Sequence, residues 1–165
     1  MDNVILIGMP GSGKSTVGVL LAKLIGYRFI DSDLLIQDAA GKKLYEIIRD
    51  DGVERFCELE NQINRELIAQ RTVVATGGSV IYHEEAMAHL KSIGTVVFLD
   101  VPERELEKRI GDFSKRGVLI KNGDTFDDLY RERMPLYLKY ADVTVICNEN
   151  DLVKNAEKIM SVLEK

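Results

Sequence analysis

Nine residues near the start of the chain combine the glycines and side chains that a phosphate-binding site needs. Residues 8–16 read Gly-Met-Pro-Gly-Ser-Gly-Lys-Ser-Thr, which supplies glycine, four free positions and then Gly-Lys-Ser. Such a loop turns backbone N–H groups and a helix start towards phosphate oxygens, while the lysine reaches the β and γ phosphates and the serine ligates Mg²⁺. A chance glycine turn between a strand and a helix is the alternative. The residues predicted to bind the nucleotide here are Gly11, Ser12, Gly13, Lys14, Ser15 and Thr16.

Two acidic residues follow the second apolar run of the chain. Asp31 and Asp33 flank Ser32, so at the end of an extended strand their carboxylates point the same way. Ligands of open α/β sheets bind at this edge. One acid can help to hold Mg²⁺ through its waters, while the other hydrogen-bonds an acceptor hydroxyl and orients or deprotonates it. A helix N-cap followed by a first-turn acid is the alternative interpretation of the pair.

Gly77 and Gly78 form a second glycine pair, after the third predicted strand. Because glycine has no side chain, a ligand can approach this backbone closely, and its amides can bind substrate oxygens. A tight turn explains the pair equally well when it is taken alone.

Residues 111–124 fit no regular element and are rich in glycine and charge. Next to a nucleotide site, a segment of this length favours a mobile lid that carries Lys115 and Arg116 over the phosphates. A plain surface loop is the alternative.

Short apolar runs, rich in Val and Ile, predict the elements that position these motifs. Buried parallel strands are predicted at residues 4–7, 28–30, 73–75, 96–99 and 143–146. Helices are predicted at 15–25, at 84–91, 102–110, 125–140 and 151–163, and as two helices within 44–71 that meet near Gly52. Alternating strands and helices predict an α/β fold, with a parallel sheet covered by helices on both faces.

The whole-chain properties narrow the class of protein. The 165 residues suit one domain over 1–165, and the net charge of −5 argues against broad nucleic-acid binding. Cys57 and Cys147 lack the spacing of a zinc or redox site, and His83 and His89 are expected at surface or capping positions. No run has the length of a membrane span or the pattern of a signal peptide, so we expect a cytoplasmic monomer without a membrane partner.

Six motifs, in order and over nearly the full length, resemble the shikimate kinase family. They are the phosphate loop, FIDSD at 29–33, GKKLYEII at 41–48, ERFCELE at 54–60, ATGG at 75–78 and RERMPLY at 131–137. The resemblance implies a three-layer P-loop kinase fold, similar to that of nucleoside monophosphate kinases, with a five-stranded parallel sheet in the order 2-3-1-4-5 and a lid. It also implies ATP and Mg²⁺ as cofactors and a step in aromatic amino acid biosynthesis.

The same resemblance assigns roles on the acceptor side of the site. Asp33 would hold the acceptor hydroxyls, Gly78 would line the acceptor pocket beside Gly77, and Arg133 would pair with the substrate carboxylate. The acceptor-binding helical region would cover about residues 32–62.

On the nucleotide side, the resemblance implies that Asp31 supports Mg²⁺ and that Arg109 flanks the adenine. Arg116 would be the lid arginine that contacts the phosphates. Together with Lys14 and Asp33, this arginine completes the predicted catalytic set.

Three departures from the family pattern concern the acceptor side or the lid. Cys57 stands where family members carry an arginine of the carboxylate clamp, Ser79 replaces a third glycine, and Gly117 replaces a proline after the lid arginine. A thiol cannot form the bidentate, charge-assisted pair that a guanidinium forms with a carboxylate. The acceptor is therefore predicted to be shikimate or a related polyhydroxy acid.

The leading hypothesis is an ATP-dependent kinase that phosphorylates a hydroxyl of a small hydroxy acid. A nucleotide-binding protein with a regulatory or interaction role is the alternative from a different class, and it predicts ATP binding without acceptor-dependent ADP release. A third hypothesis is a kinase of a nucleotide or cofactor precursor, but such a kinase would need a larger acceptor site than 165 residues readily provide.

Overall fold

The fold is built on one parallel sheet. The computed structural model describes residues 3–111, 117–121, 123–147 and 150–164. Its strands are β1 (Asn3–Ile7), β2 (Arg28–Asp31), β3 (Thr72–Ala75), β4 (Gly94–Asp100) and β5 (Val143–Ile146). They lie in the order β2-β3-β1-β4-β5, and every neighbouring pair is parallel. The predicted strand order is confirmed.

Eight α-helices connect and cover these strands in the described segments. They are α1 (Lys14–Ile25), α2 (Ser32–Ala40), α3 (Leu44–Glu46), α4 (Val53–Arg65), α5 (Glu84–Ile93), α6 (Glu103–Ile110), α7 (Phe126–Tyr140) and α8 (Leu152–Leu163). A π-helical turn spans Ile47–Asp51 and a 3-10 turn spans Val80–Tyr82. None of the helices in the described part of the chain has the length and hydropathy of a bilayer span.

Two helical segments do lie within residues 44–71, as predicted, but the second ends at Arg65, before the predicted end. Gly52 adopts a φ of 91° and separates the π turn from α4, so the helices do meet at this glycine. Helix α4 ends at Arg65, because residues after it turn back to begin β3. Arg71 has a φ of 49°, which no helix residue adopts, and its carbonyl accepts a hydrogen bond from the Arg28 amide at the start of β2.

Two apolar cores follow from this arrangement. The main core lies between the sheet and its helices, and the central strand β1 is buried along its whole length. A smaller core of Ile36, Ile47, Phe56 and Leu59 joins α2, the π turn and α4. The predicted acceptor-binding region therefore has packing of its own beside the carboxyl edge of the sheet, where β1, β2 and β3 all end.

Candidate active site

The loop between β1 and α1 has the conformation that phosphate binding requires. Gly11 and Gly13 adopt φ values of 79° and 88°, which favour glycine, and α1 begins directly after Gly13. The Lys14 ammonium donates to the carbonyls of Gly8 at 2.8 Å and Met9 at 2.9 Å. These contacts curl the loop around the lysine, so the amides at the start of α1 face a common centre.

Lys14 lies in the interior of the site rather than at its surface. Its side chain also donates to the Ser12 hydroxyl at 3.3 Å, and the residue is 8% exposed. Burial, opposed by the nearby Asp33 carboxylate, lowers the pKa of Lys14 to about 8. The ammonium is thus a desolvated charge, which interacts more strongly with phosphate oxygens than an exposed lysine does.

Asp31 joins the phosphate loop to the second strand. Its Oδ2 accepts a 2.7 Å hydrogen bond from the Ser15 hydroxyl, and its Oδ1 accepts one from the Asp33 amide at 3.0 Å. The carboxylate therefore caps α2, as the alternative interpretation expected, while its other oxygen faces α1. A hydroxyl and a carboxylate are hard oxygen donors of the kind that Mg²⁺ prefers beside nucleotide phosphates, so this pair fits the ion.

Asp33 occupies the first turn of α2, where its carboxylate meets other negative charge. Burial, followed by the charges of Glu60 and Asp31, raises the pKa of Asp33 to about 7. Its Oδ1 is buried and has no hydrogen-bond partner in the described part of the chain. A carboxylate in this state is suited to accept a proton from a ligand at neutral pH.

A cavity of about 270 Å³ brings the two halves of the predicted site together. Its lining includes Gly11, Gly13, Lys14, Ser15 and Thr16 on the nucleotide side and Asp33, Phe56, Glu60, Gly77, Gly78 and Arg133 on the acceptor side. A nucleotide on the loop and a small acceptor could therefore share one cavity, which is the arrangement that direct group transfer requires.

Arg133 brings a buried positive charge to this cavity from α7. The residue is 1% exposed, and its guanidinium donates to the Leu119 carbonyl at 2.8 Å and lies 5.4 Å from the centre of the Tyr82 ring. Its Nε has no partner among the described residues. A buried guanidinium with a free donor can pair with a carboxylate.

The glycine pair after β3 leaves no room for side chains. A methyl group on Gly78 would lie 2.9 Å from the Pro10 ring and 3.0 Å from an Arg133 nitrogen. The Gly78 carbonyl accepts a 2.6 Å hydrogen bond from the hydroxyl of Tyr137, which is fully buried on α7. The glycine pair therefore serves both as a tight turn after β3 and as backbone that lines the cavity.

One of the predicted nucleotide contacts, Arg109, lies towards the outer end of the loop. Arg109, in the last turn of α6, donates to the Gly11 carbonyl at 3.4 Å and to the Asn150 side chain at 3.0 Å. Arg116 and Lys115 lie outside the described residues. The adjoining residues Gly117, Val118 and Leu119 line the cavity.

Sequence reasoning missed the hydrogen-bonded cluster that Glu60, Ser79 and His83 form behind the acceptor pocket. Glu60 is completely buried and accepts hydrogen bonds from the Ser79 hydroxyl at 2.6 Å and from His83 at 2.8 Å. His83 was expected at a surface or capping position, and it does precede α5 as its N-cap, but its side chain is largely buried against Glu60. One local signal was available, since Glu60 lies four residues after Phe56 and so shares its buried helix face.

Known proteins resemble this chain in sequence and in fold. A family model described as shikimate kinase matches residues 10–164. A shikimate kinase of Persephonella marina is 39% identical over 146 residues, which are 88% of this chain and 88% of that protein. The structure of shikimate kinase from Acinetobacter baumannii in complex with shikimate has a TM-score of 0.92 and 32% identity, and the match covers 99% of this chain and 93% of that one. For shikimate kinase from Aquifex aeolicus, the TM-score is 0.85 at 34% identity, with 98% and 96% covered.

Proposed function

Because this chain belongs to the shikimate kinase family, we propose that it transfers the γ-phosphoryl group of ATP to a hydroxyl of shikimate. The chain is an ATP-dependent phosphotransferase that acts on an alcohol group, as its family match and its curated relatives show. Shikimate as the acceptor is supported by the complex of the Acinetobacter baumannii relative, whose fold this chain shares.

The observation that carries the proposal is the shared cavity of Lys14, Asp33 and Arg133. Phosphoryl transfer needs little covalent chemistry from the protein and depends on positioning and on stabilising charge. A cation for the phosphates, a carboxylate for the attacking hydroxyl and a cation for an acceptor carboxylate all line this space.

The phosphate loop supplies the nucleotide side of the reaction. The loop amides and the start of α1 bind the triphosphate, and the Lys14 ammonium exchanges its contacts with the Gly8 and Met9 carbonyls for phosphate oxygens. In a desolvated site this charge stabilises the negative charge that develops during transfer. Arg109 is proposed to flank the adenine, because it lies against the outer end of the loop.

Ser15 and Asp31 are proposed to hold the Mg²⁺ of the nucleotide, directly or through water. The bound ion would neutralise charge on the phosphates. Asp31 keeps its position without the ion because it caps α2, so the two oxygen ligands are preorganised for the Mg²⁺ of the nucleotide.

Asp33 is proposed to take the proton from the acceptor. The hydroxyl oxygen forms a bond to the γ-phosphorus, the bond between that phosphorus and the oxygen of ADP breaks, and the hydroxyl proton passes to the Asp33 carboxylate. A pKa raised to about 7 by burial and by Glu60 and Asp31 makes this carboxylate an effective base near neutral pH.

Arg133 is proposed to bind the acceptor carboxylate as a single arginine. Cys57 is half-buried on α4, and burial raises the pKa of its thiol, so it carries no charge that could assist. In the described part of the chain, Lys14 and Arg133 are the cationic residues that line the cavity. Carboxylate binding therefore depends on Arg133 to an unusual degree.

The deciding experiment is ADP release with Mg·ATP, with and without shikimate, on the wild type and on Cys57→Arg. Shikimate-dependent release by the wild type with a usable KM would establish the proposed acceptor. Activity that appears only in Cys57→Arg would mean that the machinery is intact and that a different hydroxy acid is the acceptor. ATP binding without release for any hydroxy acid would favour the nucleotide-binding alternative.

Four further expectations concern the lid, the domain, the oligomeric state and the partners of the protein. A lid role for residues 111–124, a single domain over 1–165 and a monomeric, cytoplasmic protein without nucleic-acid or membrane partners stay predictions. The net charge of −5 supports the expectation for nucleic acid.

A further inference from the structure

Tyr82 is an aromatic residue beside the active site that the proposed reaction does not use. It ends the 3-10 turn that follows the glycine pair, and the centre of its ring lies 5.4 Å from the guanidinium carbon of Arg133. This distance is within the range of a cation–π contact, which is stronger when the cation is desolvated. Arg133 is buried, so little water competes with the ring for its charge.

Hydrogen bonds alone leave the guanidinium of Arg133 only partly satisfied. One terminal nitrogen donates to the Leu119 carbonyl, while Nε is buried and has no partner in the described part of the chain. A buried charge with unused donors is costly. The face of the Tyr82 ring offsets part of this cost, and it consumes none of the N–H donors that a carboxylate would need.

The Tyr82 ring is itself held by the helix that carries the arginine. Its hydroxyl donates to Oε2 of Glu132 at 3.1 Å, and Lys121 donates to Oε1 of the same carboxylate at 3.1 Å. Burial raises the pKa of Tyr82, so its hydroxyl stays protonated and can donate. The hydrogen bond from Lys121 lowers the pKa of Glu132, which is therefore a charged acceptor near neutral pH. Because Glu132 precedes Arg133 on α7, the ring and the guanidinium are tied to one element.

Tyr82 also borders a second cavity. This outer cavity has a volume of about 560 Å³, and its lining includes Val53, Tyr82, Leu119 and Leu129. Arg133 lines the cavity of the candidate active site, and Leu119 lines both cavities. Removing the ring would therefore open the guanidinium to water from the outer cavity. Water around the charge would weaken its pairing with a carboxylate.

We propose that Tyr82 is a positioning residue that fixes the plane of the Arg133 guanidinium and shields it from water, so that one arginine can bind the acceptor carboxylate. Because Cys57 supplies no second cation, the guanidinium must be oriented and desolvated before the carboxylate arrives. The ring orients the guanidinium, and the bond to Glu132 keeps the ring in place. This inference rests on the proposed function, because it concerns the carboxylate-binding part of the same site.

Substitutions of Tyr82 separate the ring from its hydroxyl. Tyr82→Leu removes the ring, and we expect the acceptor KM to rise about tenfold while the KM for ATP stays within about twofold. Tyr82→Phe keeps the ring and should keep the acceptor KM within about threefold of the wild type. Tyr82→Met, which is unbranched and flexible, makes the same test if the leucine variant is unstable.

The matched control is Tyr27→Leu. The Tyr27 ring lies 5.5 Å from the guanidinium carbon of Arg71, so it makes the same kind of contact. It precedes β2, at the opposite end of the sheet from the active site. Its loss should leave both KM values unchanged.

A second arm tests whether the effect depends on the acceptor carboxylate. We would assay shikimate and an analogue that carries a hydroxymethyl group in place of the carboxylate. The analogue should show a raised KM with the wild type, because it cannot form the charge-assisted pair with Arg133. With that analogue, Tyr82→Leu should cause no further rise.

A third measurement uses the free protein and needs no acceptor. In ¹⁵N-labelled protein, the Nε–H signal of Arg133 is identified by its absence in Arg133→Lys. Its exchange with water should be about tenfold faster in Tyr82→Leu than in the wild type, because the ring no longer excludes water. Tyr82→Phe and Tyr27→Leu should keep the wild-type rate.

An unchanged exchange rate or an unchanged acceptor KM in Tyr82→Leu would overturn the inference. Equal rises of the KM for ATP and for the acceptor, or an undiminished effect with the hydroxymethyl analogue, would overturn it as well. A wild type without shikimate-dependent ADP release would instead overturn the proposed function. The exchange rates would then decide by themselves whether Tyr82 holds and shields Arg133.

Discussion

The Ser15 hydroxyl donates a 2.7 Å hydrogen bond to the Asp31 carboxylate, which ties the first turn of α1 to the end of β2. The two residues are sixteen positions apart and meet because β2 ends at the same edge of the sheet as β1. The contact places a hydroxyl and a carboxylate beside the phosphate loop, where the proposed Mg²⁺ would bind.

Asp31→Asn should weaken Mg²⁺ binding without unfolding the protein. Asparagine also caps helices well, so α2 should persist, but the loss of one negative charge should raise the half-saturating Mg²⁺ concentration about tenfold. The measurement is a titration of activity with Mg²⁺ at fixed ATP. Asp38→Asn, at an exposed position of α2, is the control for charge. A half-saturating concentration equal to that of the wild type would contradict the metal role.

Lys14→Ala should lower kcat by at least about 100-fold, because the buried ammonium is proposed to stabilise charge in the transition state. The buried carbonyls of Gly8 and Met9 lose a donor, so we expect the variant to be less stable than the wild type but to keep its fold by circular dichroism. Lys23→Ala, at an exposed position of the same helix, should keep full activity. Retention of turnover by the Lys14 variant would rule out the proposed mechanism.

Asp33→Asn should abolish turnover and also stabilise the free protein. The folded-state pKa of Asp33 is raised from 3.8 to about 7, so the folded protein keeps a proton that the unfolded chain releases between these values. This residue therefore favours folding at pH 4, and its contribution is lost as the pH rises to 7. In EDTA and without nucleotide, the variant should exceed the wild type at pH 8 by about 2 kcal/mol in the free energy of unfolding, less than the full shift because the side chain is partly exposed.

The comparison is made by denaturant unfolding at pH 5 and pH 8, where the stability gap between variant and wild type should widen with pH. Asp38→Asn removes an exposed carboxylate from the same helix and should show no such widening. A constant gap would mean that Asp33 is not desolvated in the free protein.

The parts of this structure that the sequence predicted well are those encoded locally. The phosphate loop carries every fixed residue within nine positions, so Lys14 and Ser15 were identified from spacing alone. The strand order depends on pairing between distant segments, and it was predicted from the family resemblance rather than from periodicity. Helix α2 was not predicted as a separate element, but it lies within the helical region that the resemblance implied at about 32–62, and its N-cap was considered as an alternative role for Asp31.

The cluster behind the acceptor pocket was missed because its contacts are not local. Glu60 and His83 are 23 residues apart and lie on different elements, and the hydrogen bond between their side chains joins those elements. A buried glutamate on the face of Phe56 was the one hint, but its hydrogen-bond donors come from the turn after β3. Such contacts depend on how distant elements pack together, which cannot be predicted from the spacing of residues along the chain.

Tyr137→Phe should both destabilise the protein and loosen the acceptor pocket. The phenol is fully buried and donates a 2.6 Å hydrogen bond to the half-buried Gly78 carbonyl, which would be left without this donor. We expect a loss of about 1–2 kcal/mol in the free energy of unfolding and a higher acceptor KM. Tyr140→Phe, on the same helix and beside Lys139, is the control. An unchanged acceptor KM would show that the Gly78 backbone keeps its position without the bond.

Arg133→Lys should raise the acceptor KM by tenfold or more while the KM for ATP changes little. A lysine keeps the charge, but it cannot donate at once to the Leu119 carbonyl and to an acceptor carboxylate in the planar geometry of a guanidinium. Because Cys57 supplies no second cation, no other arginine in the described lining of the cavity would compensate.

The control for this substitution is Arg131→Lys, two residues earlier on α7, where the exposed side chain pairs with Asp127 outside the cavity. Steady-state kinetics with both substrates varied would separate the two constants. In a Cys57→Arg background, the new guanidinium would share the carboxylate, and the effect of Arg133→Lys should shrink. An equal effect in both backgrounds would mean that residue 57 does not reach the acceptor, and that Arg133 binds the carboxylate alone in either protein.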